Sequence, residues 1–175
     1  MIRPDELLFT VDDNNNPITH VKRRIAHEKG LWHRTSGIWV ISKNRKILCQ
    51  KRSLKKDIKP GFWEAFFGGH VGPNESYSSN AKSELQQETG INVKEKDLHP
   101  YKVFKSASSH NEFQQVFAVV LDKERDDFLF EKEEIVELKW IEQEEVKKIL
   151  VIEKKENWVR KAWDEEVLYW LPTLI

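Results

Sequence analysis

The chain has 175 residues, a length that suits one domain with a full core. Hydrophobic residues make up 39% and charged residues 33%, with seven Trp and nine Phe, which excludes a disordered chain. The net charge is zero and no run nears the ~20 apolar residues that cross a bilayer, so neither nucleic acid nor membrane is an expected partner.

The charge is unevenly spread. Residues 1–105 carry 19 Lys/Arg against 12 Asp/Glu, and residues 106–175 carry 10 against 17. Either the halves attract one another within the fold or the basic half faces an anionic ligand. The single cysteine, Cys49, leaves no internal disulfide, and MIRPDELLFTVDD holds no signal-peptide core. A cytoplasmic setting is the expectation.

In chain order, ELLFTV reads as a strand ended by the turn formers DDNNNP. HVKRRIAHEK, residues 20–29, fits either a short helix closed by Gly30 or a second strand. SGIWVIS and KILCQKR are β-branched runs separated by KNR, the pattern of a hairpin. FWEAFFGGHV is a further strand, VFKSAS and FQQVFAVVLD another pair, and IVELKWI a late strand. Helices are expected over 76–89, stopped by Gly90, over 143–150, and over 156–171, ended by Pro172. Trp163, Val167 and Trp170 give the last of these an apolar face, suited to a homodimer contact or to covering the sheet. Strands in the middle with inserted and terminal helices imply a mixed α/β domain over 1–175. Its core spans about 30–150, with an N-terminal strand extension over 1–29 and a C-terminal helix within 151–175.

The helix over 76–89 carries the chemistry. Tyr77, Ala81 and Leu85 recur at i, i+4, i+8 and form a packing stripe. Glu84, Gln87 and Glu88 share a neighbouring stripe, where two carboxylates can converge on a divalent cation such as Mg²⁺ or Mn²⁺. The same spacing also suits a solvated face. Gly68 and Gly69, just upstream, let backbone come close to a ligand.

This stretch resembles the Nudix box, G-x5-E-x7-R-E-U-x-E-E-x-G-U, with U bulky and apolar. Gly69, Glu75, Glu84, Leu85, Glu88, Gly90 and Ile91 fall on its specified positions without a gap. Ser83 stands in place of Arg, and Gln87 in place of the first Glu of the closing pair. GLWHRTSGIWVI, LCQKRSLKKDIKPGFW and FFGGHV extend the likeness over roughly residues 5–150. They look like the branch holding type I isopentenyl diphosphate isomerases and their hydrolase relatives.

The resemblance implies a Nudix-type α/β/α sandwich with a central mixed β-sheet. It also implies metal-dependent hydrolysis of the diphosphate linkage in a nucleoside diphosphate or related small organic diphosphate. Glu84 and Glu88 would hold Mg²⁺ or Mn²⁺, joined by the Gly69 carbonyl and the neutral carbonyl of Gln87. Glu84 or Glu112 would take the proton of the attacking water. Arg52 and Lys56 would contact the diphosphate; their stretch, KRSLKKDIK, reads equally well as a solvated basic loop.

His27, His33 and His70 match the metal-binding histidines of the isomerases, with one residue fewer between the first two. Glu112 matches a fourth site carboxylate, and His110 stands where a further Glu would be. Such a set suits Mn²⁺ or Zn²⁺. The isomerases also need a cysteine where Gly68 stands, so hydrolysis is favoured. Isomerisation and a non-catalytic diphosphate-binding module are the alternatives. Gln87 removes a charge, and Ser83 removes a guanidinium that in the family helps fix the glutamates through a fork-like pair, leaving Glu75 without that partner, so weakened metal binding and slow chemistry are expected.

Overall fold

Strand β3 (His33–Ser42) is buried along nearly its whole length, because apolar side chains point to both of its faces. Period-two alternation then sorts them into two cores. Ile38 and Val40 pack on one face, Trp39 and Ile41 on the other. The computed structural model describes residues 5–107 and 110–175.

Around β3 stand β1 (Leu7–Val11), β2 (Pro17–Lys22), β4 (Lys46–Arg52), β5 (Trp63–Glu64), β6 (His99–Ala107), β7 (Asn111–Leu121) and β8 (Ile135–Glu142). Together they form one mixed sheet. β3 runs parallel to β7 from His33↔Glu112 to Ser42↔Leu121, and β6 pairs antiparallel with β7. β4 pairs antiparallel with β8. The helices are α1 (Arg23–Glu28), α2 (Tyr77–Thr89), α3 (Gln143–Lys147) and α4 (Asp164–Trp170). Ala81 and Leu85 of α2 pack against Ile38, Val40, Phe117 and Val119; Val146 of α3 and Val167 and Leu168 of α4 pack against Trp39, Ile41, Val116 and Ala118. Helices therefore cover both faces of a mixed sheet, which is the expected α/β/α sandwich. Among the described residues no helix is long and apolar enough to cross a membrane.

Several expected elements change in detail. Residues 20–29 divide, with β2 ending at Lys22 and α1 starting at Arg23. The β3–β4 hairpin pairs only at Ile41↔Ile47, because each strand then turns to a different long partner. FWEAFFGGHV is not one strand. Only Trp63–Glu64 pairs with β4, and Phe67 and His70 make isolated bridges to Ile38 and Thr35. Ser108, the last residue of the expected strand VFKSAS, lies outside the described residues. The helix expected over 143–150 is α only to Lys147 and continues as a π turn over Lys148–Ile152.

The helix expected over 156–171 is confined to Asp164–Trp170. Upstream of it the chain is held by a parallel bridge between Trp63 and Trp158 and by stacked Trp63 and Trp158 rings, 5.8 Å apart. Trp158 and Trp163 lie in the core of their own chain, so this tryptophan-rich segment covers the sheet.

Asp164 opens α4 with 4% exposure. One carboxylate oxygen accepts the Lys161 N–H at 2.6 Å, while Oδ1 is buried without a hydrogen-bond partner. Burial pushes its pKa up to about 7, against the Lys161 N–H and charge. The folded state therefore holds a proton that the unfolded chain has released, and this contribution falls as pH rises from about 4 to 7. Asp164→Asn removes that slope. Urea unfolding should show the variant gaining on wild type between pH 5 and pH 8, and parallel profiles would contradict the assignment.

Candidate active site

Segment 67–71 lies alongside β3 through backbone hydrogen bonds. Ile38 and Phe67 exchange N–H···O bonds of 2.7 and 2.9 Å, Ser36 N donates to Gly69 O at 2.9 Å, and Val71 N donates to Arg34 O at 2.9 Å. Gly68 adopts φ +150°, and a Cβ there would lie 2.0 Å from the Ser36 carbonyl oxygen. A Cβ on Gly69 would lie 2.4 Å from Glu84 Oε1. The two glycines thus let the segment lie between β3 and the carboxylates of α2. Gly68→Ala should cost about 2 kcal/mol in urea unfolding, because the opposing atom is backbone and cannot move aside. An unchanged midpoint would argue against this placement.

Helix α2 is built to present those carboxylates. Ser76 caps its start, accepting the Ser79 N–H, and Gly90 ends it at φ +75°. With Ala81 and Leu85 buried, Glu84, Gln87 and Glu88 turn toward a cleft of about 220 Å³. Glu88 Oε2 accepts the Gly68 N–H at 3.1 Å. Burial, and then the nearby Glu84, push the Glu88 pKa up to about 8, with Lys56 opposing. Two carboxylates that resist joint ionisation suit a bound cation. The Gly69 carbonyl keeps one lone pair for a ligand, since Ser36 takes the other.

Arg52 and Lys56 line the same cleft but are already engaged. Arg52 Nη1 donates to Glu64 at 2.9 Å, and its Nη2 donates to the Ile58 carbonyl at 2.9 Å. Lys56 pairs with Glu134. Burial and then Arg52 lower the Lys56 pKa, with Glu88 opposing. Arg23 of α1 closes one side of the cleft through Asp57 at 3.1 Å. Sequence reasoning missed Arg23, Asp57, Glu64 and Glu134 because each ion pair joins residues far apart in the chain.

The three histidines do converge. One ligand atom from each of His27, His33 and His70 lies within 4.8 Å of the others. His27 Nε2 and His70 Nε2 stand 3.3 Å apart, and two imidazoles on one tetrahedral ion at ~2.1 Å stand about 3.4 Å apart. His33 is fully buried; its Nδ1 faces the Leu31 carbonyl at 2.9 Å, and its Nε2 has no hydrogen-bond partner. This orphaned nitrogen fits a metal ligand. Burial lowers the pKa of His27 to about 4 and lowers His33 and His70 as well, so all three favour the neutral imidazole that metals require. His110 stacks on His27 at 4.0 Å.

Glu112 stands with this cluster, its Oε1 3.8 Å from His33 Nε2 and its Oε2 4.0 Å from Lys161 Nζ. It does not line the cleft of Glu84, Gln87 and Glu88. Of the two carboxylates offered as proton acceptors, only Glu84 lines that cleft, while Glu112 stands beside His33 of the adjoining cluster. Cys49, the one thiol, is fully buried in the opposite core, and burial pushes its pKa up.

Residues 31–162 match the NUDIX domain, and the chain belongs to that family. It is 28% identical over 154 residues to an uncharacterized Nudix hydrolase of Clostridium acetobutylicum, covering 83% of this chain and 74% of that one. It is also 28% identical over 141 residues to isopentenyl-diphosphate Delta-isomerase 2 of Photorhabdus laumondii, covering 78% and 77%. Some other curated relatives are matched over about half of their own length. A crystal structure from Deinococcus radiodurans superposes with TM-score 0.69 at 16% identity, over 94% of this chain and 98% of that one, and so shares its fold.

Proposed function

We propose that this chain hydrolyses the diphosphate linkage of a nucleoside diphosphate or related small organic diphosphate, with Mg²⁺ or Mn²⁺ held by Glu84 and Glu88. One observation carries the reading. The paired carboxylates of α2, the Gly68 N–H and the cations of Arg52 and Lys56 share a single cleft. When bound, the metal supplies charge neutralisation on the phosphates and lowers the pKa of water.

The chain's own groups do the rest. Glu84 takes the proton of the attacking water, because Glu112 stands outside this cleft. Arg52 and Lys56 exchange Glu64 and Glu134 for phosphate oxygens, so substrate binding begins by breaking two internal ion pairs. The Gly69 carbonyl and Gln87 complete the oxygen set around the cation. A cytoplasmic setting belongs to the same reading and agrees with the free, buried Cys49. The test is a panel of organic diphosphates with Mg²⁺ and with Mn²⁺, followed as monophosphate release. Diphosphate binding without turnover, indifferent to either metal, would point instead to a binding module.

The histidine cluster with Glu112 favours a second reading, isopentenyl diphosphate isomerisation with a metal at His27, His33 and His70. Against it stands Gly68, where this backbone leaves no room for a Cβ, let alone a thiol. Conversion of isopentenyl diphosphate to its dimethylallyl isomer would restore that reading.

A further inference from the structure

We propose that Asn80 takes over the work of the arginine that Ser83 replaces, as a positioning residue that ties the 69–75 turn to the metal-binding helix. The inference rests on the metal reading of Glu84 and Glu88.

An amide inside a helix is a poor helix former and costs free energy to bury unless it is fully bonded. Asn80 is 3% exposed and its amide is engaged on both sides. Its Oδ1 accepts the Ser36 hydroxyl at 2.6 Å. Its Nδ2 donates to the His70 carbonyl at 2.9 Å and to Glu75 Oε2 at 3.1 Å. One side chain thus joins β3, the turn and α2. Ser36 works from the other end, since its N–H holds the Gly69 carbonyl while its hydroxyl holds Asn80.

Glu75 shows what has been substituted. Its Oε2 is held by the Gly72 N–H at 2.7 Å and by Asn80, both neutral donors, in place of a guanidinium. Ser83 lines an open cleft of about 340 Å³ together with Glu75, Asn80, Glu84 and Gln87. That is the space an arginine at 83 would enter to reach Glu75. Asn80 makes the contact from the buried side of the helix instead. Through it the peptides of Gly69 and His70 are fixed next to Glu84, so the amide sets the geometry of the donor set without being a member of it.

The test is Mn²⁺ affinity measured by EPR on the full chain, with circular dichroism to check folding. Asn80→Ala should weaken Mn²⁺ binding about tenfold, the usual cost of losing a group that orients ligands. Adding Ser83→Arg to Asn80→Ala should recover most of it, which a merely structural amide would not allow. Ser36→Ala, which removes only the hydroxyl donor, should weaken binding in the same direction but by less than Asn80→Ala, and reads the same network if Asn80→Ala fails to fold. Wild-type affinity in Asn80→Ala, or in Ser36→Ala, overturns the proposal. So does a double variant as weak as the single. Wild type that binds no Mn²⁺ at millimolar concentration overturns the metal reading itself, a separate and recognisable failure.

Discussion

Glu84→Gln is expected to lower turnover of a diphosphate substrate by roughly 10²–10⁴-fold at saturating Mn²⁺, the range for loss of a general base. Glu88→Gln should behave differently. The amide oxygen still accepts the Gly68 N–H, so the turn stays in place, but one charge at the cation is gone. Its defect should lie in metal affinity, and raising Mn²⁺ should recover much of the rate. The pH dependence separates them further. In the metal-free protein Glu88 holds its proton up to about pH 8. A cation must displace that proton, so wild-type affinity should climb as pH rises toward 8. The climb should flatten in Glu88→Gln. Steady-state rates against Mn²⁺ concentration at pH 6.5 and 8.0 read both effects. If both variants keep full activity, the carboxylate stripe of α2 has no catalytic part.

Helix α2 was legible in the sequence because everything that makes it is local: Ser76 at its start, Gly90 at its end, and the Tyr77, Ala81, Leu85 stripe between. The parallel pairing of β3 with β7 was not. It joins His33 to Glu112, and no short-range pattern encodes a contact across that much chain. The overlong C-terminal helix fails for a related reason. Trp163, Val167 and Trp170 have helical spacing, but Trp158 is placed by a bridge to Trp63 and needs no helix to be buried.

The site divides in the same way. The box glutamates, both glycines and the three histidines were readable as types at positions. Their grouping into a carboxylate cleft and a histidine cluster with Glu112, which meet at His70, depends on the register of β7 against β3. The basic loop posed the sharpest ambiguity, solvated or phosphate-binding. In the fold Arg52 and Lys56 line the cleft yet are neutralised by Glu64 and Glu134, so both descriptions hold until an anion competes.

Gln87→Glu should move the protein in two opposite directions at once. Gln87 is exposed at the cleft that Glu84 and Glu88 line. Without metal, a third carboxylate adds to the burial and the Glu84 repulsion that already push Glu88 up to about 8, so the variant should melt below wild type at pH 8. The difference should fade at pH 5, where Glu88 is protonated in both. With metal the sign reverses. An added ligand charge should tighten Mn²⁺ roughly ten- to hundredfold. At a fixed excess of Mn²⁺, a tenfold gain is worth about 1.4 kcal/mol of stability. In a chain of this size that raises Tm by about 3–5 °C. Melting curves with and without Mn²⁺ should therefore cross between variant and wild type, and turnover should rise about tenfold or more. Tighter Mn²⁺ without faster turnover would mean that the glutamine does not limit the chemistry, and would favour ligand binding as the role of this cleft. Shifts of the same sign with and without metal would remove Gln87 from the cation's surroundings altogether.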